Sequence, residues 1–495
     1  RRYPTNRNAM EKFYWVLTAS IFLADLAIRV GLSLRVIMRK REASVTLAWL
    51  VVILLLPFIG AIIYLLLGEN RLGQKRAAHA AASVPMYKKW VESLNQRIRF
   101  DWNRADAAYQ PVEAQARRVI GLPTLPGNAL QLIDDSGEFF RLLVEDIDRA
   151  RKTCFLEFYI WEEGGLADKV AAAVIRAADR GVSCRVLLDS IGSDTFLRSD
   201  QFREMKSKGV EIVEALPAGI FRALFVRLDL RNHRKIAIID GEVAYTGSQN
   251  LVDPCYFKQD EDVGEWIDTM VRVRGPVVEA MTATFFYDWF VESEISQQEL
   301  SDIGEISEAE VAGDALVQLV PSGPGFERGG IHDLLLTTIY TARRELVLSS
   351  PYFVPDNAIL SALKSAALRG VEVTIIVPRK NDSRLVRYAS RARYSELARN
   401  GVRIMTFSEG LLHAKTITVD QEFSLIGSVN LDMRSFWLNF ELTLFVYNRE
   451  FTEKLRAVQQ KYCLRAQLLD PPLFARRSFF ARLKENCALL LGPLL

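Results

Sequence analysis

The sequence predicts an α/β protein built from two pseudo-symmetric βαβ modules with central, mostly parallel sheets, preceded by an N-terminal transmembrane helical hairpin. Residues 154–189 and 346–378 each read as an apolar strand, a turn, an amphipathic helix ending at Arg-Gly-Val, and a second apolar strand. Such alternation indicates parallel βαβ units, and its recurrence indicates an internal duplication. The hairpin is predicted because residues 45–67 run 23 positions without a charge.

Composition shifts and the repeat divide the 495 residues into six predicted segments. They are a membrane hairpin (1–70), a helical connector (71–125), module 1 (126–300), a linker (301–315), module 2 (316–470) and an amphipathic membrane-surface segment (471–495). The net charge of only +3 argues against the broad positive field of a nucleic-acid-binding protein, so we expect no nucleic-acid partner.

The two apolar segments of the hairpin differ in strength. Residues 45–67, as one helix of about 1.5 Å per residue, are long enough to cross a bilayer. Residues 13–37 contain Asp25, Arg29 and Arg35, so they either span the membrane or lie at its surface. More basic residues flank the two ends of the hairpin than occupy its turn. By the positive-inside rule this favours a hairpin with both ends in the cytoplasm, which places the rest of the chain there too. The basic turn 39–41 could instead contact anionic headgroups.

The strongest signal is a motif that occurs once in each half. Both copies read His-x-Lys-x4-Asp-x6-Gly-Ser-x-Asn. The candidate catalytic residues are His233, Lys235, Asp240, His413, Lys415 and Asp420, and the candidate substrate-binding residues are Ser248, Asn250, Ser428 and Asn430. Side chains two apart on a strand share a face, so each histidine and its lysine can face one pocket between the modules.

This pocket suits an anionic phosphoryl group, because it is rich in cations and hydrogen-bond donors. One imidazole can attack phosphorus to give a phosphohistidine, while the other acts as general acid and then as general base. The lysines stabilise charge as a metal ion does elsewhere, so we expect neither a metal nor another cofactor.

Four acidic residues near the motifs have open roles. Asp240 and Asp420 lie beyond the far ends of the motif strands, where a structural role is at least as reasonable as a chemical one. Glu265 and Glu441 follow the histidines of their own halves at similar distances, and each could accept the imidazole Nδ1–H. The alternative is that both glutamates are exposed strand residues.

Two basic amphipathic segments lie outside the motifs. The first half carries about 12 extra residues before its motif, and we interpret Phe221, Arg222, Phe225 and Arg227 as a lip that contacts lipid. Residues 471–495 mix arginines, phenylalanines and leucines and are expected to lie on the cytoplasmic leaflet. For both segments the alternative is an ordinary helix packed on the catalytic part.

The paired motifs, together with "FYIW", "AYTGSQNLVDPCYFKQD" and "GSVNLDMRSFWLNFELT", resemble the phospholipase D superfamily and, within it, the bacterial cardiolipin synthases. The resemblance covers essentially the whole chain and implies phospholipase D-like modules in a multi-pass protein of the bacterial inner membrane. It implies a phosphatidyltransferase that joins two phosphatidylglycerol molecules into cardiolipin and releases glycerol. It also carries the superfamily's catalytic roles onto the two His-x-Lys-x4-Asp motifs.

Three other activities remain open from the residues alone. A phospholipase D-type hydrolase has the same motifs, because acceptor choice depends on the dryness and shape of the pocket. A membrane-tethered nuclease and a non-catalytic lipid scaffold fit the charge and the paired motifs less well. Anionic membrane lipids are the expected partners, with a homodimer as a further possibility.

Overall fold

The computed structural model describes residues 7–39, 43–68, 73–98, 107–217, 227, 229–293, 308–327 and 329–492. The chain forms two compact units. One contains residues 1–74 and 218–229, and the other contains residues 75–217 and 230–495. The larger unit is not divided further, so the predicted boundaries between the connector, the two modules, the linker and the C-terminal segment remain predictions.

The N-terminal unit contains three helices, α1 (Arg7–Met38), α2 (Ala43–Leu55) and α3 (Ile59–Leu67). The prediction of one continuous helix over 45–67 is wrong, because α2 ends at Leu55 and α3 begins at Ile59. Pro57 lies in the break; proline has no amide hydrogen and disfavours helical conformation in the residue before it. Among the described helices, none combines the length and apolarity needed to cross a bilayer.

Two charged residues of α1 bind the backbone exposed by this break. The backbone N–H of Phe58 donates to Asp25 Oδ1 at 3.1 Å, and Arg29 Nη1 donates to the Leu54 carbonyl at 2.6 Å. Asp25 and Arg29 also form an ion pair at 2.6 Å. The charges that weaken the apolar pattern of residues 13–37 therefore satisfy polar groups that the broken helix leaves without helical partners.

The larger unit carries its helices around one extended sheet. They are α4 (Gln74–Arg97, which begins at the unit boundary), α5 (Gln110–Ile120), α6 (Ser136–Arg149), α7 (Leu166–Asp179), α8 (Asp194–Leu197), α9 (Asp200–Ser207), α10 (Val277–Glu292), α11 (Gly330–Thr341), α12 (Asn357–Leu368), α13 (Arg384–Arg399), α14 (Met433–Trp437), α15 (Arg449–Leu464), α16 (Pro471–Ala475) and α17 (Phe479–Leu490).

The strands of this unit are short, and most are buried apart from the two edge strands β4 and β19. They are β1 (Leu125–Ile133), β2 (Thr153–Phe158), β3 (Ser183–Asp189), β4 (Glu211–Ala215), β5 (Ile236–Ile239), β6 (Val243–Gly247), β7 (Trp266–Ile267), β8 (Met270–Arg274), β9 (Ala315–Ser322), β10 (Glu345–Ser349), β11 (Phe353–Val354), β12 (Glu372–Pro378), β13 (Arg403–Phe407), β14 (Leu411–Leu412), β15 (Thr416–Val419), β16 (Phe423–Gly427), β17 (Leu431–Asp432), β18 (Glu441–Tyr447) and β19 (Ala466–Leu468).

The duplication appears as a nearly symmetric strand order. Fifteen of the described strands form one sheet in the order β19-β13-β12-β10-β15-β16-β18-β9-β1-β8-β6-β5-β2-β3-β4, and the other four form the pairs β11–β17 and β7–β14. The halves meet where β1 pairs antiparallel with β9. The equivalent crossover helices α7 and α12 are followed by Gly181 and Gly370 at φ values of +87° and +93°, the left-handed geometry expected after each Arg-Gly-Val helix.

The two-repeat α/β architecture is confirmed, but the prediction of mostly parallel sheets is wrong. In the described sheet, only the βαβ crossovers give parallel pairs, namely β2–β3, β3–β4, β10–β12 and β12–β13. The other ten pairings are antiparallel. Each motif strand, β5 or β15, is connected by a short turn to the next strand, β6 or β16, and pairs with it antiparallel. Short turns of this kind join antiparallel neighbours, whereas parallel neighbours need a longer crossover.

The C-terminal segment combines packing with exposure. The Glu485 carboxylate of α17 accepts from Arg391 Nε of α13 at 2.9 Å, and Ala488 packs in a small core with residues of α13. Phe479, Phe480 and Leu490 of the same helix are 65%, 78% and 79% exposed. The helix is therefore packed on the catalytic part and also presents an apolar surface, so it shares features of both alternatives.

Candidate active site

Each motif histidine lies just before a motif strand, with its lysine two residues on and turned to the same side. Lys235 Nζ donates to the His233 carbonyl at 2.6 Å, and Lys415 Nζ donates to the His413 carbonyl at 2.7 Å. All four side chains are buried. The intervening Arg234 points elsewhere, because its guanidinium binds Asp288 and the Ser322 carbonyl. The predicted alternation of the motif is therefore confirmed.

The imidazoles are held by carboxylates of the opposite half. His233 Nδ1 lies 3.1 Å from Glu441 Oε2, and His413 Nδ1 lies 2.6 Å from Asp268 Oδ1. A carboxylate at Nδ1 favours the tautomer with hydrogen on Nδ1, which leaves Nε2 with a free electron pair toward the pocket. Both imidazoles are thus oriented for nucleophilic or proton-transfer chemistry at Nε2.

Short backbone contacts between the halves produce this crossed arrangement. The His413 N–H donates to the Ile267 carbonyl at 2.8 Å, and the His233 N–H donates to the Phe440 carbonyl at 2.9 Å. The acidic residue follows that carbonyl in each case, at Asp268 and Glu441. Each histidine is therefore completed only when the other half is folded beside it.

The prediction that Glu265 holds an imidazole is wrong, and the prediction for Glu441 needs correction. Glu265 is exposed and its carboxylate contacts Cys255, while its backbone carbonyl accepts from the Leu411 N–H. Glu441 does hold an imidazole, but that of the first half rather than its own. Distance along the chain does not identify Asp268, whereas comparison of strand starts aligns Asp268, just before β8, with Glu441, the first residue of β18.

The motif serines bind the two carboxylates rather than facing open space. Ser248 Oγ donates to Asp268 at 2.6 Å, and Ser428 Oγ donates to Glu441 at 2.5 Å. Each serine oxygen also accepts a backbone N–H from the residue after the acid. The predicted substrate-binding serines therefore position the carboxylates, and each half of the site contains a series of hydrogen bonds from serine to carboxylate to imidazole.

The motif asparagines retain unused polar atoms. In the described part of the chain, Asn250 Nδ2 and Asn430 Oδ1 are buried without a hydrogen-bond partner. Buried polar groups are usually paired, so such atoms are suited to bind a ligand. The prediction of substrate contacts thus has structural support at Asn250 and Asn430 and remains a prediction.

Aromatic rings cover both imidazoles. The Tyr159 ring centroid lies 4.9 Å from that of His233, and the Trp266 centroid lies 4.3 Å from that of His413. Lys235 Nζ also lies 5.3 Å from the Tyr159 centroid. These rings pack against the buried imidazoles. Tyr159 falls in the quoted "FYIW" stretch, but the sequence alone does not indicate its contact.

Burial determines the protonation of the site. It lowers the pKa of His233 and that of His413 from 6.5 to about 4, and each motif lysine also disfavours the charged imidazole, although the carboxylates oppose both effects. Burial likewise lowers the pKa of Lys235 from 10.5 to about 8 and that of Lys415 well below its ordinary value. Without substrate both imidazoles are therefore neutral near pH 7.

Asp240 and Asp420 lie at the other ends of the motif strands and bind backbone. Asp240 accepts from the N–H groups of 151–153 at 2.7–2.9 Å, and Asp420 accepts from those of 343–345 at 2.7–3.0 Å. Both residues have positive φ, near +52° and +53°. The contacts match the structural alternative, because each carboxylate fixes the turn before a central strand of its half.

The predicted lipid lip lies mostly outside the described residues, which include none of Phe221, Arg222 and Phe225. Arg227 is described and buried, and it forms an ion pair with Asp229 at 2.5 Å. The lip therefore stays a prediction.

The fold and the crossed pair of histidines define a phospholipase D-like enzyme. A family described as "Cardiolipin synthase, PLD-like domain" matches residues 143–289 and 335–462, so its two matches coincide with the two halves. A second family, described as "Phospholipase_D-nuclease N-terminal", matches residues 28–69. The chain belongs to the cardiolipin synthase family and is a phosphatidyltransferase.

Relatives and a solved structure agree with this assignment. Cardiolipin synthase A of Serratia proteamaculans (strain 568) is 43% identical over 486 residues, covering 98% of this chain and 100% of the relative. Cardiolipin synthase A of Cronobacter sakazakii has the same identity and coverage. A phosphatidylserine synthase from Haemophilus influenzae has the same fold, with a TM-score of 0.55, 14% identity, and coverage of 78% of this chain and 100% of the other.

Proposed function

We propose that this enzyme transfers a phosphatidyl group from one phosphatidylglycerol to a second, forming cardiolipin and releasing glycerol. The observation that carries the proposal is the crossed pair of buried imidazoles, each with Nδ1 bound to a carboxylate and each beside a buried lysine. The names of the full-length relatives support the same product.

The first step of the proposed reaction forms a phosphohistidine. Nε2 of one imidazole attacks phosphorus, the phosphorus–oxygen bond to the headgroup glycerol breaks, and the other imidazolium gives its proton to the leaving oxygen. In the second step the hydroxyl of another phosphatidylglycerol gives its proton to that imidazole and attacks phosphorus. The phosphorus–nitrogen bond then breaks. Either histidine can be the nucleophile in this scheme, and our preference is His233.

The charge of the pocket supports the required split between a neutral and a protonated histidine. When both motif lysines are protonated, their two positive charges are cancelled by Asp268 and Glu441 as long as both imidazoles are neutral. An anionic phosphodiester adds one negative charge in a buried site, and this favours a proton on one imidazole. Substrate binding thus creates the general acid that the first step needs. The lysine N–H groups not bound to backbone are available to the phosphoryl oxygens.

We further propose that the N-terminal helices attach the enzyme to the bacterial inner membrane, where its lipid substrates are found, with the catalytic part in the cytoplasm. Large apolar side chains of α1 to α3 are exposed, and examples are Trp15 at 77%, Phe22 at 66% and Leu55 at 72%. Apolar surface of this extent on a soluble protein would be unfavourable, whereas a lipid bilayer can cover it.

The proposal is tested with purified full-length enzyme in phosphatidylglycerol vesicles containing EDTA. Cardiolipin and free glycerol in equal amounts are expected. Reactions quenched in acid and in alkali, followed by phosphopeptide mapping, should show an acid-labile lipid adduct on one histidine. Replacement of that histidine by alanine, His233→Ala or His413→Ala, should remove the adduct. Phosphatidic acid as the main product would instead support the hydrolase, and absence of any adduct would contradict the covalent route.

A further inference from the structure

We propose that a basic cavity beneath the C-terminal helices is a second, non-catalytic binding site for a phosphate group. The cavity has a volume of about 330 Å³ and lies between α13, α16 and the β12–β13–β19 edge of the sheet. This volume falls within the range of small-ligand sites, roughly 300–1,000 Å³. It is separate from the catalytic motifs, none of whose residues line it.

Charge is the first argument. Four arginines line the cavity, Arg379, Arg387, Arg391 and Arg477, with Asp470 as the one carboxylate among its lining residues. A second carboxylate, Glu485, lies beside it and binds Arg391 at 2.9 Å and also Arg477. Four guanidinium groups against two carboxylates leave two positive charges around the cavity, which favours an anionic ligand.

The second argument is that the arginines differ in how they are held. Arg391 and Arg477 form a rigid floor, because Glu485 binds both and their guanidinium carbons lie 5.0 Å and 3.5 Å from the Phe474 ring centroid. Arg379 and Arg387 are exposed at the mouth. In the described part of the chain, neither of these two forms an ion pair with a carboxylate. Arg379 Nη1 donates to Gln467 Oε1 at 3.3 Å. The remaining guanidinium donors of the two arginines are available to phosphate oxygens, with which guanidinium groups form paired hydrogen bonds.

An exposed apolar surface lies next to the cavity. The adjacent helix α17 exposes Phe479, Phe480 and Leu483, at 65%, 78% and 47%. Apolar side chains next to arginines that have no carboxylate partner are typical of surfaces that contact anionic lipid. A phosphate in the cavity can therefore belong to a lipid headgroup or be free in solution, and the experiment below separates these sources.

The test measures hydrogen exchange of the full-length enzyme in phosphatidylcholine vesicles, with either phosphatidic acid in the bilayer or inorganic phosphate in solution. Slower exchange in peptides covering 378–394 and 466–477 is expected with at least one of them. Protection by phosphatidic acid alone assigns the site to lipid headgroups, and protection by inorganic phosphate assigns it to free phosphate. Absence of protection with either ligand would overturn the proposal.

A matched pair of double variants separates cavity binding from general attraction of charge. Arg379→Gln with Arg387→Gln should raise the half-saturating amount of the protecting ligand roughly tenfold, as expected for the loss of a charged hydrogen bond. Arg384→Gln with Arg403→Gln removes the same charge from exposed residues outside the cavity and should leave that amount unchanged. Equal effects of the two pairs would overturn the proposal. Because the readout is binding, this result is independent of whether cardiolipin is formed.

Discussion

The two halves present nearly identical imidazoles and lysines to the pocket but support them from behind in different ways. In the first half, buried Arg234 binds Asp288, and buried Glu157 accepts from Asn232 at 2.7 Å. In the second half the position of Arg234 is Ala414, and a neutral network joins Ser349, Thr416 and Gln459 at 2.6–3.0 Å. Groups that can touch substrate thus retain the symmetry of the duplication, while the supporting network has diverged.

The charged network combines a buried ion pair with a buried carboxyl group. Burial raises the pKa of Glu157 well above its ordinary value, and the neighbouring Asp288 raises it further. Burial therefore favours the protonated form of Glu157, which lies beside the ion pair of Arg234 and Asp288. An ion pair and a set of neutral hydrogen bonds can thus perform the same positioning, although removal of one partner has unequal consequences.

The crossed carboxylates should give the largest effect. We expect Glu441→Gln and Asp268→Asn each to lower the transfer rate roughly 10²–10⁴-fold, because the imidazole loses its preferred tautomer and orientation. The protein has only four histidines, so selective ¹⁵N labelling can resolve them. Glu441→Gln should change the imidazole signals of His233, and Asp268→Asn those of His413. Signals that change within the same half would contradict the crossed geometry.

The next largest expected effect is a loss of stability on replacing Arg234, an arginine that only the first half has. Arg234→Met leaves Asp288 buried without its partner, so we expect the free energy of unfolding to fall by about 3–5 kcal/mol. Gln459→Leu, in the neutral network, should cost about 1–3 kcal/mol. Chemical denaturation of both variants makes the comparison. The double variant Arg234→Met with Asp288→Leu should recover part of the loss, and failure to recover would show that shape rather than charge dominates.

The histidines themselves should respond alike to pH. Because folding lowers the pKa of each from 6.5 to about 4, the stability that they contribute is present above pH 6.5 and is lost as the pH falls toward 4. His233→Gln and His413→Gln should therefore flatten the dependence of unfolding free energy on pH across this window by similar amounts. Denaturation curves at several pH values measure this. Unequal flattening would show that the two supporting networks also set the charge of the site.

The sequence predicted the repeat, the motifs and the shared pocket because these depend on local pattern and on alternation within a strand. It did not predict the crossed pairing, since Asp268 and His413 are 145 residues apart and meet only through contacts between the halves. Nor did it predict the break before Ile59, where Asp25 and Arg29 bind the exposed backbone. Apolar pattern indicates what is buried or exposed, but pairing between distant strands decides which polar groups meet.

The two motif aspartates should give the smallest effect, and an equal one in both halves. Asp240 and Asp420 each accept three backbone N–H groups of the turn before a central strand, and Asn keeps one acceptor oxygen but loses the charge. We expect Asp240→Asn and Asp420→Asn each to lower the free energy of unfolding by about 1–2 kcal/mol. Transfer activity of the folded fraction should stay within a few-fold of the original, as activity and denaturation measured on the same preparation would show. A loss as large as that of Glu441→Gln, in fully folded protein, would return these aspartates to the catalytic set, because anchoring of a turn alone cannot produce it.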